Sequence, residues 1–332
     1  MEYRKLGNTD IEVTPMAFGA WAIGGWMWGG ADINEGIHAL KVSFDLGITT
    51  IDTAPVYGFG RSEELVGKAM EGIPRDQYQI LTKYGMNWET HEGEYFFDTK
   101  DFDGNLVKMY KYSARERVKK ECEDSLQRLK TDYIDLYQVH WLDKTTPIAE
   151  TMEAVLELID EGKVRAAGVC NYSAENVNDA LQVLNLASNQ VPYSLVRREI
   201  EKDVIPQAIK KGMSILPYSP LMRGLLTGKI KSDHQFKEGD SRADMKYFTS
   251  ENIRRTNVLL DKIRPIAEGH SATLAQLVLR WTMEQPAMTS VLAGARNEKQ
   301  VRDNIKALDV KLSESELAAI TKAADEFELE EK

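Results

Sequence analysis

Short apolar runs alternate with helix-spaced apolar stripes along almost the whole chain. Extended candidates fall at Met16–Gly19 and at residues 48–51, 79–82, 133–139, 164–169, 187–190, 214–216 and 288–292. Short, nearly continuous apolar runs of this kind suit strands buried on both faces. Between them, apolar side chains recur every three or four positions. Examples are Val118, Cys122, Leu126 and Leu129; Ile148, Met152, Val155 and Ile159; Val177, Leu181 and Leu184 after Ser173; Leu274, Leu277 and Trp281; and Val301, Ile305 and Leu308. That spacing gathers each set on one helix face. Helix starts are marked as well. Ser113 with Glu116, and Ser313 with Glu316, read as capping boxes, and Thr146–Pro147 opens the stripe that Gly162 closes.

Eight strand candidates alternating with helices predict a parallel sheet, either an open doubly wound one or a closed barrel. A dinucleotide-binding open sheet should carry G-x-G-x-x-G after its first strand, and none follows residue 19. The prediction is therefore an α/β chain folded as a (β/α)8 TIM barrel. Its 332 residues could hold two domains, but a barrel commonly takes about 250 with insertions beyond that, so residues 1–332 are read as one domain. Three stretches stand outside the repeat. Residues 2–13 read as an N-terminal β-hairpin with Gly7–Asn8 in its turn. Residues 85–112 and 221–247 read as two long loops at the catalytic face, after the third and seventh strands. Loops of that length are commonly functional lids. A C-terminal helix follows Ser313.

Composition narrows the function classes. The hydrophobic share of 42% and charged share of 28% are those of an ordinary globular protein. A net charge of −10 argues against nucleic acid or an anionic membrane as partner, since both need basic surface. The start has no apolar signal core, and no run reaches the ~18 apolar residues of a membrane span. Two cysteines, Cys122 and Cys170, make no disulfide framework, and a reducing, cytoplasmic location is expected. The five histidines are scattered, without H-E-x-x-H or C-x-x-C, so no metal is predicted.

Four polar residues carry the candidate chemistry. Asp52, Lys83 and His140 lie at or just after the ends of strand candidates, and Tyr57 follows Asp52 on the same loop. Ends of barrel strands collect at one face. Together they supply a phenol as proton donor, an ammonium to acidify it, a carboxylate to anchor the ammonium, and an imidazole to orient a carbonyl oxygen. Alone, each has a plain structural explanation. Together they are equipment for reducing a carbonyl by hydride transfer.

The words around them are IDTAPVYGFGRSEELVGKA, ILTKYG, TDYIDLYQVHW, GVCNYS, PYSPLMRGLLTGK and GARNEKQVRDNI. In this order they resemble the aldo-keto reductase superfamily, over residues 4–324. The similarity is to its bacterial stress-induced and inositol-operon branch, related to potassium-channel beta subunits. The resemblance implies NADPH/NADP+ as cofactor and a small carbonyl compound as substrate, and leaves the oligomeric state open. It implies that the hairpin caps the barrel bottom, and that Asn171 and Gln190 meet the nicotinamide carboxamide while Tyr218 stacks on its ring. Gly19, Ala20, Trp21 and Asp52 would also contact the cofactor, Ala20 near the nicotinamide ribose. Ser219, Leu221, Arg223, Gly224, Lys229 and Arg242, with Ser241 beside it, would cradle the pyrophosphate. Gly294, Arg296, Gln300, Asp303 and Asn304 would hold the adenosine end, with Arg296 on the 2′-phosphate and Asn297 capping the helix. Trp21, Trp28, Tyr57 and Trp141 would line an open substrate pocket. Three positions depart from the family pattern: Cys170 replaces a usual Ser, Ala20 a common Thr, and Leu142 a common Pro. Two other readings stay open: a cofactor-binding, redox-sensing regulatory subunit, and an NAD-linked dehydrogenase of alcohols or cyclitols. His140 favours an enzyme, since the channel-associated relatives carry Asn there.

Overall fold

The structure, a computed structural model, describes residues 1–27, 30, 32–236, 240 and 242–330. Strands β1 (Arg4–Lys5) and β2 (Glu12–Val13) pair antiparallel as the expected hairpin. Then come β3 (Met16–Gly19), α1 (Ile33–Asp45), β4 (Thr50–Asp52), α2 (Arg61–Ala69) and β5 (Gln79–Tyr84). The first insertion holds β6 (Met86–Asn87), β7 (Glu94–Lys100) and β8 (Leu106–Lys111). The repeat resumes with α3 (Arg115–Leu129), β9 (Ile134–Val139), α4 (Ile148–Asp160), β10 (Val164–Cys170), α5 (Ala174–Ala180), β11 (Leu186–Pro192), α6 (Val204–Lys211) and β12 (Ser214–Tyr218). It ends with α7 (Ser250–Gly269), α8 (Leu274–Met283), β13 (Val291–Gly294), α9 (Glu298–Ile305) and α10 (Glu314–Asp325).

Eight strands form one parallel sheet in the order β12-β11-β10-β9-β5-β4-β3-β13. A parallel bridge between Ile215 and Met288 joins its two ends and closes the (β/α)8 barrel. The interior is layered. Leu6, Ile11 and Val13 of the hairpin pack on Leu81, Leu136 and Leu216 from the strands, so the hairpin plugs the barrel bottom. Larger apolar clusters fill the space between strands and helices. Above the apolar plug the interior turns polar. Asp52, Lys83, Gln138 and Gln190 are all buried there. Among the described residues no helix is long and apolar enough to cross a membrane.

Some local expectations change. Residues 85–112 are no structureless loop but a three-stranded antiparallel sheet in the order β6-β8-β7. β7 pairs with β8 from Glu94 opposite Lys111 to Lys100 opposite Leu106, a strand signal masked in the sequence by the many polar residues. The capping box at Ser113 does not form: α3 begins behind Ala114. The Ser113 N–H donates instead to Asp143 Oδ2 at 2.9 Å, a tertiary partner that replaces the local one. Thr146 likewise bonds Asp143 at 2.7 Å, leaving Pro147 to open α4. The boxed start of α10 at Ser313 and Glu316 forms as expected, and Ser173 and Asn297 cap α5 and α9. Helix α7, which the apolar spacing did not mark, runs through Pro265.

Gly7 shows how tightly the plug seats. Its φ is +55°, and an added Cβ would collide with the Ala187 carbonyl of β11. Gly72 also has positive φ, +85°, but nothing lies within 4 Å of its Cβ position. Gly7→Ala is expected to lose roughly 2–4 kcal/mol from strain plus overpacking. Gly72→Ala should lose only about 1–2 kcal/mol, from the left-handed backbone alone. Urea denaturation of both variants checks the difference.

Candidate active site

The centre of the site is a buried ion pair. Lys83 Nζ donates to Asp52 Oδ1 and to the Thr53 carbonyl, each at 2.8 Å. Both side chains are essentially inaccessible. The pair spans neighbouring strands, with Asp52 ending β4 and Lys83 near the end of β5. Burial works against the Lys83 ammonium, but the Asp52 charge and hydrogen bond outweigh it and hold the lysine pKa above its ordinary value. On its outward side β5 is braced by Glu63 of α2. Its carboxylate accepts from Thr82 at 2.6 Å and from Arg128 of α3 at 2.7 Å.

Tyr57 stands over this pair. Lys83 Nζ lies 4.9 Å from the Tyr57 ring centroid. The His140 ring meets Tyr57 edge-on at 5.7 Å, and the Trp21 ring stacks on it at 5.9 Å. The turn carrying Tyr57 is clamped from outside: an added Cβ on Gly24 would come within 2.7 Å of the Tyr57 carbonyl oxygen. Ser62 ties the turn down, accepting from Thr53 Oγ1 and donating to the Ala20 carbonyl, each at 2.9 Å.

The electrostatics correct one expectation. Lys83 was expected to make Tyr57 more acidic. Burial instead pushes the phenol's pKa far up, Asp52 adds to the rise, and the opposing pull of Lys83 does not cancel them. Desolvating a phenolate costs more than one paired ammonium returns. Tyr57 is therefore a fully protonated O–H at neutral pH. The His140 pKa falls well below its ordinary value through burial, with the Lys83 charge acting in the same direction, so the imidazole is neutral.

The residues expected at the nicotinamide end come together. Asn171, directly after β10 with φ +59°, donates from Nδ2 to the His140 carbonyl at 3.1 Å and accepts from Tyr218 Oη at 2.9 Å. Gln190 Nε2 donates to Asp52 Oδ2 at 2.8 Å. Burial raises the Tyr218 phenol to about 12 and also lifts the Cys170 thiol, which stays neutral and packs as a small apolar group. Ala20 donates its N–H to the Asp52 carbonyl at 2.8 Å. Gly19 and Gly294 pair in register across β3 and β13, keeping that rim low.

Beyond Tyr218 the chain runs through positive φ at Ser219, Arg223 and Gly224. Nothing lies within 4 Å of a Cβ built on Gly224. Arg223 sets its guanidinium 5.2 Å from the Trp21 ring. Leu221 accepts from Gly224 and turns the chain; Lys229 is exposed. Arg242 is engaged with Asp240 at 2.7 Å and donates to the Arg223 carbonyl at 3.3 Å. Arg296 is exposed just before α9. Gln300 accepts from the Arg296 N–H at 2.8 Å, and Asn304 donates to the Gly294 carbonyl at 3.3 Å. Asp303 gives its carbonyl to Gln276 at 2.8 Å, leaving its exposed side chain on the α9 surface. Trp28 and Ser241 lie outside the described residues. Trp141 packs on Phe96 of β7 at 5.3 Å, which brings the insertion sheet to the Tyr57 side of the rim.

The amide pair Asn171 and Gln190, the Tyr218 ring, the open backbone at Gly224 and the α9 N-terminus beside Arg296 all follow or end barrel strands on one face of the sheet. This donor set fits a nicotinamide dinucleotide, with phosphates over N–H groups and a cation. The sequence profile of the aldo/keto reductase family matches residues 15–325. The chain belongs to this family.

Its relatives extend over the whole molecule. An aldo-keto reductase of Bacillus subtilis is 39% identical, across 91% of this chain and 87% of that protein. An NADH-specific methylglyoxal reductase of Escherichia coli is 37% identical, across 97% and 98%. The solved glycerol dehydrogenase from Gluconobacter oxydans superposes with a TM-score of 0.88 at 36% identity, covering 99% of this chain and 97% of that one. The chain is an aldo-keto reductase oxidoreductase.

Two groups at the site escaped the sequence reading. The Thr53 carbonyl, as backbone, leaves no sequence signal. Gln138 does: it is the lone amide in the apolar stretch Ile134–Val139, and it is fully buried.

The depressed His140 pKa has a consequence for stability. Below about pH 6.5 the unfolded chain binds a proton that the folded imidazole refuses, so this group withdraws stability as pH falls, by up to about 1.4 kcal/mol per unit. Glu121 has the opposite sign: burial lifts it to about 7 despite Arg117, so its contribution fades as pH rises from about 4.5 to 7. His140→Asn removes only the first effect. Urea midpoints between pH 4.5 and 7 should therefore fall less steeply with acid in His140→Asn than in wild type.

Proposed function

We propose that the protein reduces aldehydes and reactive ketones with NADPH, Tyr57 acting as the general acid. The observation that carries this reading is the protonated Tyr57 ring set between neutral His140 and the buried Lys83–Asp52 pair. A nicotinamide held against Tyr218, Asn171 and Gln190 would supply the hydride. The substrate carbonyl oxygen accepts the Tyr57 proton while His140, neutral, orients that oxygen. Negative charge then left on Tyr57 is met by the Lys83 ammonium, whose own position Asp52 fixes. Lys83 thus acts where charge develops rather than on the resting phenol. The same residues serve alcohol oxidation in reverse. One relative is named for reduction and another as a dehydrogenase, which agrees with a reversible site.

Tyr57→Phe should lower kcat by roughly 10²–10⁴-fold while cofactor still binds, because only the proton donor is removed. Lys83→Met should damage kcat comparably. Steady-state rates with a set of small aldehydes, beside cofactor titrations, check this. Near-normal turnover of Tyr57→Phe with chemistry rate-limiting would sink the assignment.

NADPH over NADH is argued from Arg296. Its side chain is exposed, and among the described residues it forms no ion pair. The nearby carboxylate of Glu298 is occupied, accepting from His38 at 2.8 Å and Arg302 at 2.7 Å. Its charge is therefore answered before a 2′-phosphate arrives. A guanidinium–phosphate contact contributes about 1.5–3 kcal/mol, roughly ten- to hundredfold in affinity. Arg296→Ala should weaken NADPH by that factor and leave NADH nearly unchanged. Equal losses for both cofactors, or a wild type that prefers NADH as its methylglyoxal-reducing relative does, would refute the preference.

A further inference from the structure

Gln138 has no part in the reading above, yet it sits at the heart of the barrel. On β9 it pairs in register with Lys83 of β5 on one side and with Gly168 of β10 on the other. Gly168 makes room for it: a Cβ there would come within 3.0 Å of Gln138 Cγ and 2.7 Å of Ser188 Oγ. Across that gap the Gln138 side chain reaches β11, where Gln190 Nε2 donates to Gln138 Oε1 at 3.5 Å. The same Gln190 Nε2 donates to Asp52 Oδ2 at 2.8 Å. Gln190 therefore links Gln138 across the barrel interior to the Asp52–Lys83 pair.

Among the described residues Gln138 Nε2 is buried with no acceptor within 3.5 Å, and it acts on the Asp52 carboxylate only from beyond hydrogen-bond distance. An orphaned buried donor costs stability, and an apolar side chain of the same length would avoid that cost. Of the two ends of an amide only the NH2 can donate to a carboxylate, so Asp52 Oδ2 and Gln138 Oε1 together fix the Gln190 amide with its nitrogen toward them and its oxygen turned away.

We propose that Gln138 is a positioning residue of the reaction: it locks the Gln190 amide in one orientation and, through it, holds the Asp52–Lys83 pair in line under Tyr57. The inference rests on the reductase reading for its activity readout. Locked in this way, Gln190 presents an acceptor to an incoming carboxamide without first having to turn.

The ionisable groups facing Asp52 are Lys83 of β5, Tyr57 of the turn after β4, and Cys170 of β10, while His140 after β9 faces Lys83. Gln190 and Gln138 both help to lower the Asp52 carboxyl against the burial that raises it. Losing the Gln138 amide should raise it further, so Asp52 would take up its proton at higher pH.

The test compares wild type with Gln138→Met, which keeps length and volume, and Gln138→Glu, which sets a second carboxyl beside Asp52. In Gln138→Met, cofactor Kd by fluorescence quenching should rise about fivefold and kcat should fall roughly tenfold, with the carbonyl KM within about twofold. The acid limb of kcat should move up by about one pH unit, and further in Gln138→Glu. The Tm of cofactor-free Gln138→Met should equal or exceed that of wild type. A lowered Tm with unchanged Kd and pH limb, or loss of folding in both variants, would show a packing residue and overturn the proposal. So would wild-type values throughout. Wild type that turns over no carbonyl compound with either cofactor would instead overturn the reductase reading, and Kd and Tm would still judge Gln138.

Discussion

The ion pair of Lys83 and Asp52 governs the architecture around it. Neither group touches water, so each needs full compensation inside the barrel. Strand register supplies it. Asp52 ends β4 opposite Leu81, which sets Lys83 two residues farther along β5, on the same inner face and one layer higher. The Thr53 carbonyl takes a second lysine proton, and Gln190 from the opposite wall covers the remaining carboxylate oxygen. A parallel barrel suits this task because alternate residues of every strand point into one narrow space.

The polar layer has a counterpart beneath it. The hairpin plug and the leucines of β5, β9 and β12 exclude water from below. The insertion sheet, with Phe96, Phe97 and Trp88, adds aromatic surface beside Tyr57 at the rim. The ionic groups thus lie between two apolar barriers, which is why burial rather than local charge decides the state of Tyr57 and His140. Both are neutral at rest, one holding its proton and one without an extra one.

Much of this was legible in the chain. The eight short apolar runs located every barrel strand to within a few residues, because strands buried on both faces leave a continuous signal. Asp52, Tyr57, Lys83 and His140 were found because chemistry-bearing side chains interrupt or end those runs. Three features were not legible, each for its own reason. Strands β7 and β8 carry polar residues on a solvent-facing side, and their composition resembles a loop. Ser113 has the local pattern of a cap, but Asp143, 30 positions away, claims its N–H. Tyr57's proton affinity depends on how completely the folded chain removes water, which no spacing of charges reveals.

The closure of the barrel carries a mechanical consequence. Seven of the eight seams are ladders of paired residues, whereas β12 meets the eighth strand's segment through the bridge of Ile215 and Met288. A wall so joined is most compliant along that line, since few bonds must break for it to part. Tyr218 ends one bank of this seam and Gly294 the other. A long ligand lying across both banks would act as a suture, tightening the cylinder at its weakest stave.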